Sequence, residues 1–160
     1  MGRLFAFIVA IGLLIGFALP SGKPARADAA AGGSPAGHEV VLTRGSTGHF
    51  FTDAEVNGRG SVHFIVDTGA TDVALTVADA RALGIAIDPS HFEVVGEGVS
   101  GPVRGESVML DSIDVGGIKV EHVSATVLEG SNLSLLGQTF LTHVDHVDMS
   151  GDYLSLRDGT

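Results

Sequence analysis

The chain has 160 residues, of which 23 are glycine and none is cysteine, and its nine Lys and Arg against 19 Asp and Glu give a formal net charge of −10. The absence of cysteine excludes disulfide scaffolds, zinc ribbons, cysteine nucleophiles and iron–sulfur sites. The acidity argues strongly against a nucleic-acid partner, because phosphate binding depends on Lys and Arg. The length suits one domain, and a glycine content about twice the usual share favours strands joined by tight turns.

The N-terminal segment predicts export. Residues 4–19 are uncharged and mostly apolar, longer than the usual signal core of roughly 7–15 residues and shorter than the roughly 20 that span a bilayer. Ala-Arg-Ala at 25–27 fits the signal-peptidase pattern, so residues 1–27 are predicted to be a signal peptide or a membrane anchor through residues 4–19. Either alternative places the domain in the periplasm, or on the inner membrane facing the periplasm. A cytoplasmic protein with a spurious leader is the remaining alternative.

Residues 28–44 are predicted to be a flexible tether and the first strand, and residues 45–160 the functional domain. Alternating apolar residues, short apolar runs and the turn signals Asn57-Gly58 and Gly116-Gly117 indicate strands and hairpins. The predicted strands cover residues 38–43, 49–56, 61–66, 92–96, 103–110, 111–115, 118–128 and 153–157.

Two short helical segments interrupt the strands. Residues 76–83 form the first, with Thr76 as its N-cap and Gly84 as its C-terminal stop. A second helical turn follows Gly137, after the apolar residues 133–136. The pattern as a whole predicts an all-β fold, a small and mostly antiparallel barrel or sandwich with one or two short helices.

Asp67 is the main candidate functional residue. It comes directly after a buried apolar run, where an ionised carboxylate is costly unless it has hydrogen-bond partners. The next residues supply them: Thr68 offers a hydroxyl, and Gly69 lets the backbone turn and aim N–H groups at the carboxylate. A tripeptide Asp-Thr-Gly alone also fits an aspartate that merely caps a turn, so its surroundings decide between the two interpretations.

Those surroundings resemble a known family. Phe-Ile-Val-Asp-Thr-Gly-Ala-Thr at 64–71 resembles the active-site loop of aspartic proteases, and Leu-Leu-Gly-Gln-Thr-Phe-Leu at 135–141 resembles their second signature. Over residues 45–157 the chain resembles the retropepsin-like aspartic proteases, in particular the bacterial exported or membrane-anchored type, which also has Gly-His-Phe before the first hairpin. The resemblance implies a small closed antiparallel barrel.

The resemblance also implies roles for individual residues. Asp67 would be catalytic, and Thr68, Gly69, Ala70 and Gly137 would support its loop. Pepsin-like enzymes have Ser where Ala70 stands, and loss of that hydroxyl donor leads us to expect an optimum less acidic than pepsin's. No cofactor and no metal is expected; His143 and His146 could suggest a metal site, but spacing places no third ligand, which favours a surface turn.

A single Asp-Thr-Gly implies a homodimer. Aspartic proteolysis uses two carboxylates that share one proton, because like charges about 3 Å apart cannot both ionise. The other aspartates of this chain lack a following Thr-Gly or Ser-Gly. The second carboxylate is therefore expected from Asp67 of a second copy, on the two-fold axis. By resemblance, Thr68 of each chain would bond the partner's loop.

Residues 96–101 spell Gly-x-Gly-x-x-Gly, yet Pro102 and an extended segment follow where a dinucleotide site needs a helix. A mobile hairpin fits better, and by resemblance it would be a flap that closes over a peptide and excludes water. The predicted flap and substrate-binding residues are Gly98, Val99, Gly101 and Val103. An ordinary surface hairpin is the alternative.

The sequence thus predicts an aspartic endopeptidase that acts on polypeptides outside the cytoplasm. The alternative is a non-catalytic dimeric domain of the same fold that binds peptides or serves as a scaffold in the cell envelope. An intact Asp-Thr-Gly disfavours this alternative, because a buried carboxylate costs stability.

Overall fold

Ten strands, two short α-helices and one 3-10 turn make up the part of the chain that the computed structural model describes, residues 37–98 and 101–159. In chain order they are β1 (His38–Thr43), β2 (Phe51–Val56), β3 (Gly60–Val66), β4 (Val73–Thr76), α1 (Val77–Ala82), the 3-10 turn (Pro89–His91), β5 (Glu93–Gly98), β6 (Gly101–Val115), β7 (Ile118–Leu128), β8 (Ser134–Leu136), α2 (Gln138–Leu141), β9 (His146–Ser150) and β10 (Tyr153–Asp158).

The predicted leader, residues 1–27, lies outside the described residues, as does most of the predicted tether. In the part that is described, no helix has the length and apolar character needed to cross a membrane.

Six strands close into a barrel. The larger sheet has the order β2-β3-β8-β4-β7-β6-β5, and a further pairing between β2 and β6 joins the ring and leaves β5 outside it. Closure protects the ring from unpaired edges and confirms the predicted all-β barrel with short helices. One detail differs from a purely antiparallel barrel: β3–β8 and β4–β7 pair in parallel. In both pairs the two strands lie far apart in sequence, so no hairpin sets their relative direction.

The core follows the two-residue period of the strands. In β2 and β3, Val56, Val62 and Phe64 are buried, whereas Glu55 and His63 are exposed. A separate three-stranded sheet, β1-β10-β9, covers the barrel with side chains from β10. The largest fully buried side chains are Phe64, Phe140, Leu75, Leu110, Ile113, Ile118, Leu136, Leu154 and Leu156. Burial of their apolar surface is the main force that holds the barrel together.

The turn and helix-capping residues predicted from the sequence have the expected roles in the structure. Asn57 and Gly58 have positive φ of 56° and 60°, as the tightest hairpin turns require. The Asn57 side chain also accepts from the N–H of Asp111 at 2.7 Å, which ties this hairpin to β6. Thr76 caps α1 by accepting from the Asp79 N–H at 3.0 Å, and Gly84 follows the helix with φ 69°.

Other elements were missed or divided. The strands β4, β8 and β9 are not among those predicted from the sequence, and residues 103–110 and 111–115, predicted separately, belong to β6, which runs through both without a break. All four residues of β4 are buried and all five of β9 are exposed, so neither strand shows the alternation that reveals a half-buried strand. His146, expected in a surface turn, is the first residue of β9.

Gly137 marks a close approach between two distant parts of the chain. It follows β8, and its backbone lies directly against the turn that leads from β3 to β4. A Cβ at this position would collide with the Asp72 carbonyl and would lie 2.8 Å from the Ala70 carbonyl oxygen. Its φ is −97°, which any residue adopts, so space alone requires glycine here.

We expect Gly137→Ala to lower the free energy of unfolding by about 3 kcal/mol, because main-chain atoms on the facing turn cannot rotate away from the added methyl group. Urea denaturation measures the change. Gly60→Ala is the matched control, since its Cβ would make an ordinary 3.5 Å contact with Leu83. Equal effects of the two substitutions would contradict the steric argument.

Candidate active site

Asp67 lies at the point where the chain leaves the barrel. It directly follows β3, and its N–H donates to the Leu136 carbonyl of β8 at 3.1 Å. Its side chain is half-buried, and one carboxylate oxygen accepts from the Gly69 N–H at 2.9 Å. The Ala70 N–H closes the turn on the Asp67 carbonyl at 3.2 Å. The carboxylate is therefore oriented by the backbone of its own turn; the Thr68 hydroxyl, the other expected partner, forms no hydrogen bond with it among the described residues.

The residues after Asp67 differ in exposure. Thr68 and Gly69 are exposed, whereas Ala70 is 1% exposed and packs into the protein. A Cβ on Gly69 would lie 3.3 Å from the Asp67 carboxylate, so glycine leaves room for the carboxylate beside the backbone. The Asp67 turn, which we define as residues 67–70, thus presents its first three residues toward the surface and anchors its fourth.

The start of α2 holds this turn from behind. The Gln138 N–H donates to the Ala70 carbonyl at 2.9 Å, and the Thr139 N–H donates to the Thr71 carbonyl at 3.1 Å. The Gln138 side-chain amide donates to the Thr68 carbonyl at 2.7 Å. These bonds explain the position of Gly137, which brings the helix into contact with the turn.

Thr139 extends the support into the barrel. Its hydroxyl accepts from the Val73 N–H of β4 at 2.8 Å and donates to the Ser124 carbonyl of β7 at 2.8 Å. The sequence analysis named Gly137 but neither Gln138 nor Thr139. Two polar residues directly after Leu-Leu-Gly in an otherwise apolar segment were the signal that could have identified them.

A second acidic side chain, Asp72, lies just beyond the turn. It is half-buried, and this burial raises the pKa of its carboxyl above the ordinary 3.8, against a smaller lowering by a hydrogen bond with the Thr126 side chain. Among the described residues, no Lys, Arg or His forms an ion pair with it within 4.0 Å. The hydrogen bond with Thr126 therefore offsets only part of the cost of burying the charged Asp72 carboxylate.

The predicted flap is a hairpin, formed by β5 and β6. Gly98 faces Gly101 and Gly96 faces Val103 in its register, and the pairing is irregular between positions 94 and 96. Gly101 has φ 114°, a conformation that favours glycine, and Val103 is half-buried. Val99, also predicted to belong to the flap, lies outside the described residues.

The base of this hairpin is anchored. Arg104 donates to the Phe92 carbonyl at 2.7 Å and pairs with Glu129 at 3.1 Å. Phe92 itself is buried in the core, whereas Val94, two residues further along β5, is 63% exposed. The hairpin therefore begins at a fixed base and presents an apolar residue outward.

The two histidines do not converge on a site. His143 lies 3.1 Å from the Thr139 carbonyl through its ring Nδ1, and His146 pairs with Arg157 in the β9–β10 register. In residues 37–98 and 101–159 there is no group of three or more His, Asp or Glu side chains that could hold a metal ion.

Asp72 gives the domain a pH-dependent stability. Between 3.8 and its raised pKa, the folded state keeps a proton that the unfolded chain has lost, so stability falls as pH rises through that window and stays lower above it. We expect Asp72→Asn to raise Tm at neutral pH, and the gain to shrink below pH 3.8. Thermal unfolding of both proteins across this range measures it.

Asp88→Asn is the control of opposite sign. Hydrogen bonds from Ser90, first from its backbone N–H, lower the pKa of Asp88. Its stabilising effect is present above 3.8 and is lost as pH falls through the lowered pKa, so Asp88→Asn should lower Tm at neutral pH. A loss of stability in Asp72→Asn at neutral pH would contradict the burial argument.

Comparisons with known proteins agree with this geometry. A family model described as "gag-polyprotein putative aspartyl protease" matches residues 52–143, which include the Asp67 turn and α2. The structure is similar to the crystal structure of a retropepsin-like aspartic protease from Rickettsia conorii, with a TM-score of 0.64 and 29% sequence identity, over 77% of this chain and 92% of that chain.

Two curated relatives are uncharacterized proteins. One, in the cobV 5' region of Sinorhizobium sp, is 38% identical over 122 residues, 75% of this chain and 52% of the relative. The other, protein RP867 of Rickettsia prowazekii (strain Madrid E), is 30% identical over 119 residues, 74% of this chain and 51% of the relative. The chain spans about half the length of these relatives. The matched family model covers more than half of the chain, and the chain belongs to the retropepsin-like aspartic protease family.

Proposed function

We propose that the protein is an aspartic endopeptidase whose active site forms from Asp67 of two copies of the chain. The observation that carries the proposal is the half-buried Asp67 carboxylate, oriented by the Gly69 N–H where the chain leaves β3 and reaches the surface. A carboxylate that merely capped a turn would not require the second layer of support that α2 supplies from behind.

The chemistry needs two carboxylates that share one proton. The ionised one takes a proton from a water molecule, whose oxygen attacks the carbonyl carbon of the peptide, while the protonated one gives its proton to the carbonyl oxygen. Collapse of the tetrahedral intermediate breaks the C–N bond. The amine leaves with the proton taken from water, and the intermediate returns a proton to the other carboxylate, which restores the pair.

The geometry of the Asp67 turn supports the proposed dimer. One chain presents a single Asp-Thr-Gly, and the Thr68 side chain and the Gly69 backbone lie at the surface, where a second copy can approach. A symmetric pair would then bring two copies of Asp67 together on its two-fold axis.

The substrate proposed is an extended polypeptide segment with apolar residues at the cleaved bond. β5 is an edge strand: within residues 37–98 and 101–159 it pairs with β6 alone, so one of its sides is open to a further strand. Val94, exposed on that strand, and Val103 on β6 offer apolar contacts for such a segment. Extended peptides commonly add to open strand edges through backbone hydrogen bonds.

The first test is Asp67→Asn. Asparagine keeps the shape of the side chain but cannot accept the proton from water, so peptide cleavage should fall by at least about 10²-fold. Cleavage of a peptide library by the purified protein, with pepstatin-type inhibition as a second readout, measures this. Asp111→Asn, at an exposed aspartate of β6, is the matched control and should cleave like the wild type.

The same variant tests the dimer. Asp67→Asn chains should still associate in sedimentation, and an excess of them should suppress wild-type activity by forming mixed pairs with one carboxylate. Full turnover by pure Asp67→Asn would overturn the mechanism. A folded, peptide-binding wild type that cleaves nothing would instead favour the non-catalytic scaffold.

We propose further that the domain works outside the cytoplasm, in the periplasm or held at the inner membrane. The apolar residues 4–19 and the Ala-Arg-Ala at 25–27 support this location. A reporter that is active only after export, fused behind residue 27, should be active. An inactive reporter retained in the cytoplasm would contradict the proposed location while leaving the chemistry untouched.

A further inference from the structure

The peptide unit between Thr68 and Gly69 is held at both of its ends. Its N–H, which belongs to Gly69, donates to the Asp67 carboxylate at 2.9 Å. Its C=O, which belongs to Thr68, accepts from the Gln138 side-chain amide at 2.7 Å. Because a peptide unit is planar and rigid, a bond at one end sets the direction of the group at the other end.

This second bond is needed because little else controls the orientation of that peptide. Gly69 has no side chain, and both residues are exposed, so water can compete for the N–H and the C=O alike. The other bonds from α2 go to the carbonyls of Ala70 and Thr71, which lie beyond this peptide unit. The Gln138 amide is the donor from α2 that reaches it.

The bond from Gln138 also acts on the strength of the bond to the carboxylate. An amide whose carbonyl accepts a hydrogen bond is polarised, so its N–H becomes a better donor. The Gln138 amide therefore both orients the Gly69 N–H and strengthens its donation to Asp67.

We infer that Gln138 is a positioning residue for the catalytic carboxylate, acting through the Thr68–Gly69 peptide; the inference rests on the proposed aspartic protease function. Gln138 acts from behind the turn and does not itself perform a chemical step. The effect belongs to its side chain, because the bond from its own backbone N–H to Ala70 survives any substitution other than proline.

Three substitutions separate this role from a general role in folding. Gln138→Met keeps the length of the side chain and removes the donor. Gln138→Arg restores an N–H at the same number of bonds from the backbone, because the guanidinium Nε follows Cδ as the amide nitrogen does. Thr142→Val is the matched control. It removes the 2.7 Å bond that the Thr142 hydroxyl, at the C-terminal end of α2, donates to the Gln138 carbonyl, and it leaves the bond from the Gln138 side chain to the Asp67 turn in place.

Two readouts decide. In ¹⁵N-labelled full-length protein, Gln138→Met should shift the Gly69 amide resonance and speed its hydrogen exchange, whereas Gln138→Arg and Thr142→Val should leave both near wild type. In peptide cleavage, Gln138→Met should lower kcat about tenfold, as expected for one hydrogen bond, with KM changed less than about twofold. Gln138→Arg should recover most of the loss.

An unchanged Gly69 resonance in Gln138→Met would overturn the inference, and so would a shifted resonance with unchanged kcat. If Gln138→Met does not fold, Gln138→Glu replaces it, since it has the same shape without the donor and is expected to show the same two effects. If wild-type protein cleaves nothing, the proposed function fails, and the Gly69 resonance alone still decides whether Gln138 holds the peptide.

Discussion

The contact between the Gly137 backbone and the turn that carries Asp67 is the constraint on which the rest of the structure depends. It joins two segments about seventy residues apart in sequence, and it leaves no room for a side chain. Because the backbones touch, the first N–H groups of α2 reach the carbonyls of Ala70 and Thr71. The Asp67 turn is thereby fixed to the barrel instead of being a free loop, although it contains an exposed glycine.

The barrel topology makes this contact available. β8 lies between β3 and β4, so β8, which leads into Gly137, runs alongside β3, which leads into Asp67. Their last residues, Leu136 and Val66, lie opposite each other. The parallel direction of this pair matters, because parallel neighbours finish at the same edge of the sheet. An antiparallel β8 would have delivered α2 to the opposite end of the barrel.

Local chemistry explains most of what could be predicted from the sequence. The hairpin at Asn57-Gly58 and the cap at Thr76 depend on backbone conformation and on bonds to near neighbours, which residue identity alone specifies. Asp67 has the same kind of local partner, an N–H two residues away, but its candidate role came from the resemblance of residues 64–71 and 135–141 to the aspartic proteases. β4, with four buried residues in succession, carried no such local signal, since its burial comes from strands on both sides.

The sequence by itself determined the all-β class and the turns, since each depends on residues within a few positions of one another, and it singled out Asp67 through the resemblance to the aspartic proteases. Only the tertiary structure decided the parallel pairing of β3 with β8, the half-buried state of Asp72 and the bond from Gln138 to Thr68. These features join residues far apart in the chain, or depend on the density of protein around a group. The order of the residues specifies neither the long-range contacts nor the burial of a group, because both arise only when the closed barrel brings distant segments of the chain together.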